Sequence, residues 1–249
     1  MLGSYSQNAL SGAATVNQIF FIVNQLALSI GNALVAICSQ YWGKQETGAI
    51  RKMTGVALAL SVLIAAIVVT ACTCMPEQLL RIFTTSPEII AEGKAYLGLL
   101  KWTFLLFMIS NLLIAMLRSV ETVKISFVIS VVSLLTNGCI NYTLIFGHFG
   151  FPEMGIKGAA VGTLTARMLE LLIIVVYIWK IDTKVRLFDI NLFRTIFLPE
   201  NRKIWGAFFK VAFPIMCSGM IWAISVPMQT AILGHLSADA IAANSVSST

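Results

Sequence analysis

Long segments without charged side chains constrain the fold of this chain more than any other feature. Residues 9–40, 53–76 and 125–152 contain no Asp, Glu, Lys or Arg, and residues 204–238 contain only Lys210. A helix of about 20 apolar residues crosses the hydrocarbon core of a bilayer. In lipid, a polar side chain must face protein or water. The sequence therefore predicts an all-α, polytopic membrane helical bundle.

The composition supports a membrane protein. The chain of 249 residues is 58% hydrophobic and only 11% charged, whereas soluble domains hold about 25% charged residues. A water-soluble core of this size cannot bury so much apolar surface. We predict six full spans and a partial seventh, with Pro76 and Pro87 as helix breakers between the second and third spans. The spans are expected near residues 9–40, 53–75, 95–117, 124–147, 156–179, 206–233 and from 239 onward.

The distribution of basic residues predicts the orientation. Lys and Arg cluster in the loops at residues 41–52, 118–124 and 180–205, and are sparse in the intervening loops. By the positive-inside rule these three loops are cytoplasmic, and the Met1 end lies outside a cell (plasma) membrane. The net charge of +6 therefore reflects topology and does not indicate nucleic-acid binding.

A weak internal repeat divides the chain. Residues 1–10 match residues 232–241 at four positions, which are 2/233, 3/234, 6/237 and 9/240. Two six-helix repeats of this kind are common in transporters. The expected domains are an N-lobe at 1–180, a cytoplasmic linker at 181–203 and the start of a C-lobe at 204–249. The helix that should precede Met1 is missing from this pattern, so an internal fragment of a longer chain is expected.

Polar residues follow one face of the first span. Gln18, Gln25 and Asn32 are seven residues apart, and Asn17 and Asn24 run beside them. Seven residues return almost to the same helical face, and the stripe covers about 21 Å. It is typical of a cavity wall, and interhelical hydrogen bonding is the alternative.

The fourth span carries a second polar face, formed by Ser126, Ser130, Ser133, Asn137 and Asn141. We predict that Ser130 and Ser133 line a cavity. The side-chain oxygens of Asn137 and Asn141, one turn apart, can reach one small cation or water. Hydrogen bonding between packed helices is again the alternative.

The fifth span places charges inside the membrane. Thr163, Arg167 and Glu170 share a face, and an intramembrane charge is costly unless it is paired. Arg167 and Glu170, three residues apart, can form an intramembrane ion pair along the helix. Such a pair is either structural or a protonatable relay. Gly158 and Gly162 form a GxxxG pattern, which predicts close packing of a neighbouring helix.

The sixth span carries Ser218, Trp222, Ser225 and Gln229 on one face. We expect Trp222 and Gln229 to line a cavity, where the indole can stack on aromatic or cationic cargo; simple packing is the alternative. A membrane enzyme would need His, Asp or Cys clustered near one interface, and the five Cys show neither disulfide nor metal-site spacing. The sequence predicts no catalytic residue, no resident metal and no cofactor.

Three motifs resemble the multidrug and toxic compound extrusion (MATE) family. SQYWGKQ at 39–45 is similar to the family's turn after its second helix, and LRSVETVK at 117–124 to the turn between its fourth and fifth helices. NYTLIFGHFGFPEMGIKGAAVGT at 141–163 is the most specific match. The resemblance covers essentially the whole chain and implies helices two to seven and the start of eight. The implied fold has two lobes around a central cavity, both incomplete in this chain.

The resemblance also implies a function. Asn137, Asn141 and Thr163 match positions that line the family's N-lobe cation or proton site, and the neutral Asn141 stands where some members have Asp. The implied activity is antiport of amphipathic, often cationic, organic compounds against Na⁺ or H⁺ by a lipid-embedded protein that is monomeric at full length. The alternative is a related flippase of lipid-linked saccharides. Such a protein should have a strongly cationic cavity, whereas Arg167 is the one cation that the sequence places in mid-membrane.

Overall fold

The regular structure in the described part of the chain is entirely helical. The computed structural model describes residues 7–84, 86–147, 151–187 and 202–236, with the side chains of 7, 8, 202 and 226–236 left out of the description. Six of the helices there are long and apolar enough to cross a membrane, which confirms the predicted all-α membrane bundle. The span expected from 239 onward lies outside the described residues. The helices are α1 (Gln7–Gly43), α2 (Thr47–Cys74), α3 (Pro76–Arg81), α4 (Pro87–Ser119), α5 (Lys124–Phe146), α6 (Ile156–Lys180) and α7 (Arg202–Leu236).

Pro76 and Pro87 lie where one helix has ended and the next begins, which agrees with their predicted place as breakers between the second and third spans. Each lies in the first turn of its helix, α3 or α4. The first turn has no carbonyl partner for its N–H groups, so a residue without an N–H costs nothing there. α4 begins eight residues before the predicted start at 95, and the segment between the predicted spans 53–75 and 95–117 contains a short helix.

The central helix of the bundle is α4. It packs against α1, α2 and α6, whereas α5 packs mainly on α6, and α7 packs mainly on α1. The fully buried side chains of α4 include Leu97, Phe104, Met108 and Met116. By contrast, α5 and α7 expose large apolar side chains such as Phe127, which is typical of a surface that meets lipid or protein rather than water.

Two glycines allow α6 to approach α5 closely. A Cβ atom added at Gly158 would lie 2.8 Å from the carbonyl carbon and oxygen of Leu144, and one at Gly162 would overlap the side-chain oxygen of Asn141. The close packing predicted from the GxxxG pattern is therefore present. This close packing brings the face of α5 that carries Asn137 and Asn141 against α6. The turn that joins the two helices starts at Gly147, whose φ of +68° favours glycine.

The segment that follows α6 is docked on one end of the bundle. Val185 and Leu187 are fully buried. Arg51 Nε donates a hydrogen bond of 2.5 Å to the Val185 carbonyl, and Lys184 Nζ donates one of 2.7 Å to the Val120 carbonyl. The first residues of the predicted 181–203 linker are thus packed, and residues 188–201 lie outside the described part of the chain.

Candidate functional site

A cavity of about 550 Å³ lies among α1, α4, α5 and α6. Polar side chains inside a membrane bundle face protein, water or ligand, because lipid cannot solvate them. This volume is in the range of small-molecule sites. Apolar side chains complete the wall, among them Phe20, Phe107 and Leu134. The polar residues that line the cavity are Asn17, Tyr96, Asn111, Arg118, Ser130, Ser133, Asn137, Thr163, Arg167 and Glu170.

Asn137, Asn141 and Thr163 form a chain of hydrogen bonds between α5 and α6, which we name the amide layer. Asn141 Nδ2 donates to Asn137 Oδ1 at 3.0 Å, and Asn137 Nδ2 donates to Thr163 Oγ1 at 3.3 Å. The Thr163 hydroxyl donates to the Ala159 carbonyl at 2.9 Å. Among the described residues, Asn141 Oδ1 is buried and accepts no hydrogen bond. A buried acceptor without a hydrogen bond costs about 1–3 kcal/mol. This oxygen lies against Gly162 in the contact between the helices, and Asn141 does not line the cavity, whereas Asn137 and Thr163 do.

One helical turn away, Arg167 and Glu170 form a direct ion pair. Arg167 Nη1 lies 2.6 Å from Glu170 Oε2, and the same oxygen accepts a hydrogen bond of 3.4 Å from Ser133 Oγ. The Arg167 guanidinium carbon lies 4.9 Å from the centroid of the Phe107 ring, a cation–π distance. Glu170 is buried, whereas 26% of the Arg167 side chain is exposed in the cavity wall. The pair therefore joins α4, α5 and α6.

The polar stripe of α1 is divided between two faces. Asn17 lines the cavity, whereas Gln25 and Asn32 line a separate groove of about 650 Å³ between α1 and α7. Gln18 is exposed and lines neither space. The structure thus does not bring Gln18, Gln25 and Asn32 together around one cavity.

The groove between α1 and α7 also contains Ser218 and Trp222. Trp222 is 54% exposed, and its ring centroid lies 5.6 Å from that of Phe21. The Ser225 hydroxyl donates to a carbonyl of its own helix. The side chain of Gln229 lies outside the described residues.

Three polar residues of α4 line the cavity without having been predicted, which are Tyr96, Asn111 and Arg118. Asn111 Nδ2 donates to the Ala27 carbonyl of α1 at 2.9 Å, so it also fixes two helices together. Asn111 and Arg118 are seven residues apart, and this spacing is the signal that could have found them. Tyr96 is one of four aromatic residues in α4, and the sequence gives no comparable signal that separates it from the others.

The chain is similar to known transporters. The family model for MatE matches residues 1–143. A probable multidrug resistance protein NorM from Rhizobium meliloti is 27% identical over 95% of this chain and 47% of its own length. One from Thermotoga maritima is 27% identical over 98% of this chain and 51% of its own length. The chain thus spans about half the length of these relatives.

A solved structure of a MOP superfamily transporter from Pyrococcus furiosus has the same fold. Its TM-score is 0.83 with 16% sequence identity, over 97% of this chain and 52% of that one. At this identity the likeness concerns the fold alone. The two relatives are thus named as probable multidrug resistance proteins, and the structural neighbour has the helical architecture described above.

Proposed function

The chain belongs to the MatE family, and we propose that it forms part of a secondary active antiporter that exports drugs or other amphipathic organic compounds in exchange for Na⁺ or H⁺. The observation that carries this proposal is the amide layer beside a polar cavity in the middle of the bundle. Its neutral oxygens are ligands that hard cations accept. Asn137 and Thr163 reach the cavity wall, and within the described part of the chain Asn141 Oδ1 accepts no hydrogen bond.

The coupling ion occupies the amide layer in this proposal. Asn137, Asn141 and Thr163 hold it on α5 and α6, and Ser130 and Ser133 continue the polar wall. None of these side chains releases a proton near neutral pH, which favours Na⁺ at this layer. The ion drives transport only through the difference between its affinities for the two orientations of the protein.

Cargo uses the groove between α1 and α7. This groove separates the proposed N-lobe at 1–180 from the C-lobe that starts at 204, so a movement of the lobes changes its width. Trp222 offers an exposed aromatic face, and Gln25 and Asn32 offer hydrogen bonds. An indole attracts organic cations by cation–π interaction.

The protein resides in the cell membrane as a multi-pass monomer in this proposal, with the loops at 41–52, 118–124 and 180–205 in the cytoplasm. The positions of Lys and Arg support this orientation. The flippase alternative needs a strongly cationic cavity. The charged residues lining the described cavity are Arg118, Arg167 and Glu170, which sum to +1 because two positive charges meet one negative charge. This favours the antiporter.

The test is a transport assay with the complete gene product. Right-side-out vesicles from drug-sensitive bacteria are loaded with an amphipathic fluorescent cation, and an inward-directed Na⁺ or proton gradient is imposed in turn. The proposal expects efflux activity that disappears when an ionophore collapses the driving gradient. Transport that continues with both gradients collapsed, or no transport of any amphipathic compound, overturns it. Vesicles with the empty vector provide the background.

A further inference from the structure

The ion pair and the amide layer are neighbours on the same two helices. Thr163 precedes Arg167 by four residues on α6, and Ser133 precedes Asn137 by four residues on α5. Four residues of helix rise about 6 Å. Since Ser133 bonds to Glu170 and Asn137 bonds to Thr163, the two layers lie directly one above the other.

This arrangement matters for any cation in the amide layer. The layer itself is neutral, so a bound monovalent cation has no counter-charge among Asn137, Asn141 and Thr163. At an effective dielectric constant of about 20, a unit charge about 8 Å away changes the binding constant of a monovalent cation by roughly thirtyfold. The guanidinium of Arg167 alone would therefore repel the cation. With Glu170 in contact, the two charges largely cancel.

We propose that Arg167 and Glu170 are positioning residues that set the cation affinity of the amide layer through their combined charge. This inference rests on the proposed function of that layer as the coupling-ion site. Glu170 cancels the Arg167 charge and holds the guanidinium against the Phe107 ring. Arg167 in turn keeps Glu170 from acting as a strong cation ligand. The balanced pair leaves the layer a weak, reversible site for a monovalent cation, which an antiporter needs in order to release its ion.

The proposal predicts shifts of opposite sign for the two partners. Glu170→Gln leaves Arg167 uncompensated and lowers cation affinity. Arg167→Gln leaves the Glu170 carboxylate uncompensated and raises cation affinity. The double variant restores neutrality and returns close to the original value. A purely structural pair behaves differently, because removing either partner then disturbs the site in the same direction.

The experiment measures Na⁺ binding to the complete gene product in nanodiscs by titration calorimetry, with choline chloride holding the ionic strength constant. We expect Glu170→Gln to weaken Na⁺ binding by at least tenfold, Arg167→Gln to tighten it by a similar factor, and the double variant to stay within about threefold of the original. The matched control is the exposed pair formed by Arg81 and Glu77, 2.7 Å apart. Glu77→Gln should leave Na⁺ binding unchanged, because solvent screens that charge.

Single shifts in the same direction, no shift, or a double variant that stays far from the original would each overturn the proposal. If Glu170→Gln does not fold, Arg167→Gln and the double variant still test the proposal. Arg167→Gln must tighten Na⁺ binding, and the double variant must return the affinity close to the original value. Saturable Na⁺ binding without opposed shifts refutes this inference alone. An absence of saturable Na⁺ binding in both the original protein and Arg167→Gln refutes the proposed Na⁺ site as well.

Discussion

The contact between α5 and α6 allows one glycine substitution to be predicted in depth. A Cβ atom at Gly158 would lie 2.8 Å from two backbone atoms of Leu144. Unstrained carbon contacts are about 3.5–4.0 Å, so Gly158→Ala must separate the two helices by roughly 0.7–1.2 Å. Backbone atoms cannot turn away as a flexible side chain can. Overpacking of this kind costs about 1–3 kcal/mol.

A matched control separates the clash from the general effect of alanine in a helix. Gly138 lies on α5, and a Cβ atom there would meet nothing within 4 Å. Both substitutions gain the same helix propensity, about 1 kcal/mol. The difference in unfolding free energy between Gly158→Ala and Gly138→Ala therefore isolates the clash. We expect the first to be less stable than the second by about 1–3 kcal/mol.

The assay is reversible unfolding in mixed micelles with increasing dodecyl sulfate, followed by tryptophan fluorescence. Thermal unfolding provides a second measurement, in which the two variants should differ by about 2–10 °C. Equal stabilities would refute the argument, because they would mean that α5 and α6 do not touch at Gly158. The amide layer depends on this same contact.

Two further predictions concern other parts of the chain. Lys184→Ala removes a charge-assisted hydrogen bond to the Val120 carbonyl, and such bonds contribute about 1.5–3 kcal/mol. Amide hydrogen exchange should therefore accelerate by at least tenfold in residues 181–187. Unchanged protection would show that the bond does not hold this segment. Trp222→Ala should weaken the binding of aromatic organic cations by about 3–30-fold, from a cation–π contribution of roughly 0.5–2 kcal/mol, whereas Trp222→Phe should retain most of it. Ligand titrations with both variants test this, and equal affinities would exclude the indole from the cargo site.

The helical period explains why the faces of α5 and α6 could be predicted from the sequence. Ser133 and Asn137, four residues apart, point the same way in any α-helix, as do Thr163 and Arg167. The pairing of these faces could not be predicted. The bonds from Ser133 to Glu170 and from Asn137 to Thr163 depend on which helices pack together, and periodicity within one helix carries no information about its neighbour.

The first helix shows the limit of the same reasoning. Gln18, Gln25 and Asn32 follow a seven-residue spacing, but a straight helix drifts by about 20° with each such step. In addition, α1 packs on α4 at one side and on α7 at another. One stripe therefore does not face one space, and only Gln25 and Asn32 of these three residues line the groove beside α7.

The residue types alone do not fix where the helices near Pro76 and Pro87 begin. Pro76 and Pro87 are compatible with a broken helix or with a helix start, because proline is excluded from helix interiors but favoured in the first turn. The choice depends on the chain that follows. The residues after Pro87 continue the core-facing pattern of α4 through Ile90 and Leu97, both buried, and this pattern extends the helix back to the proline.

The central claim is that the amide layer binds the ion that drives export, and ion-driven efflux in side-chain variants tests it most directly. Asn137→Ala and Asn141→Ala in the complete gene product should fold normally but require about tenfold more ion for half-maximal efflux, because each removes one oxygen ligand. Thr143→Ala on α5 is the control, since its exposed hydroxyl bonds only to its own helix. An ion dependence that is unchanged in both asparagine variants would contradict the account.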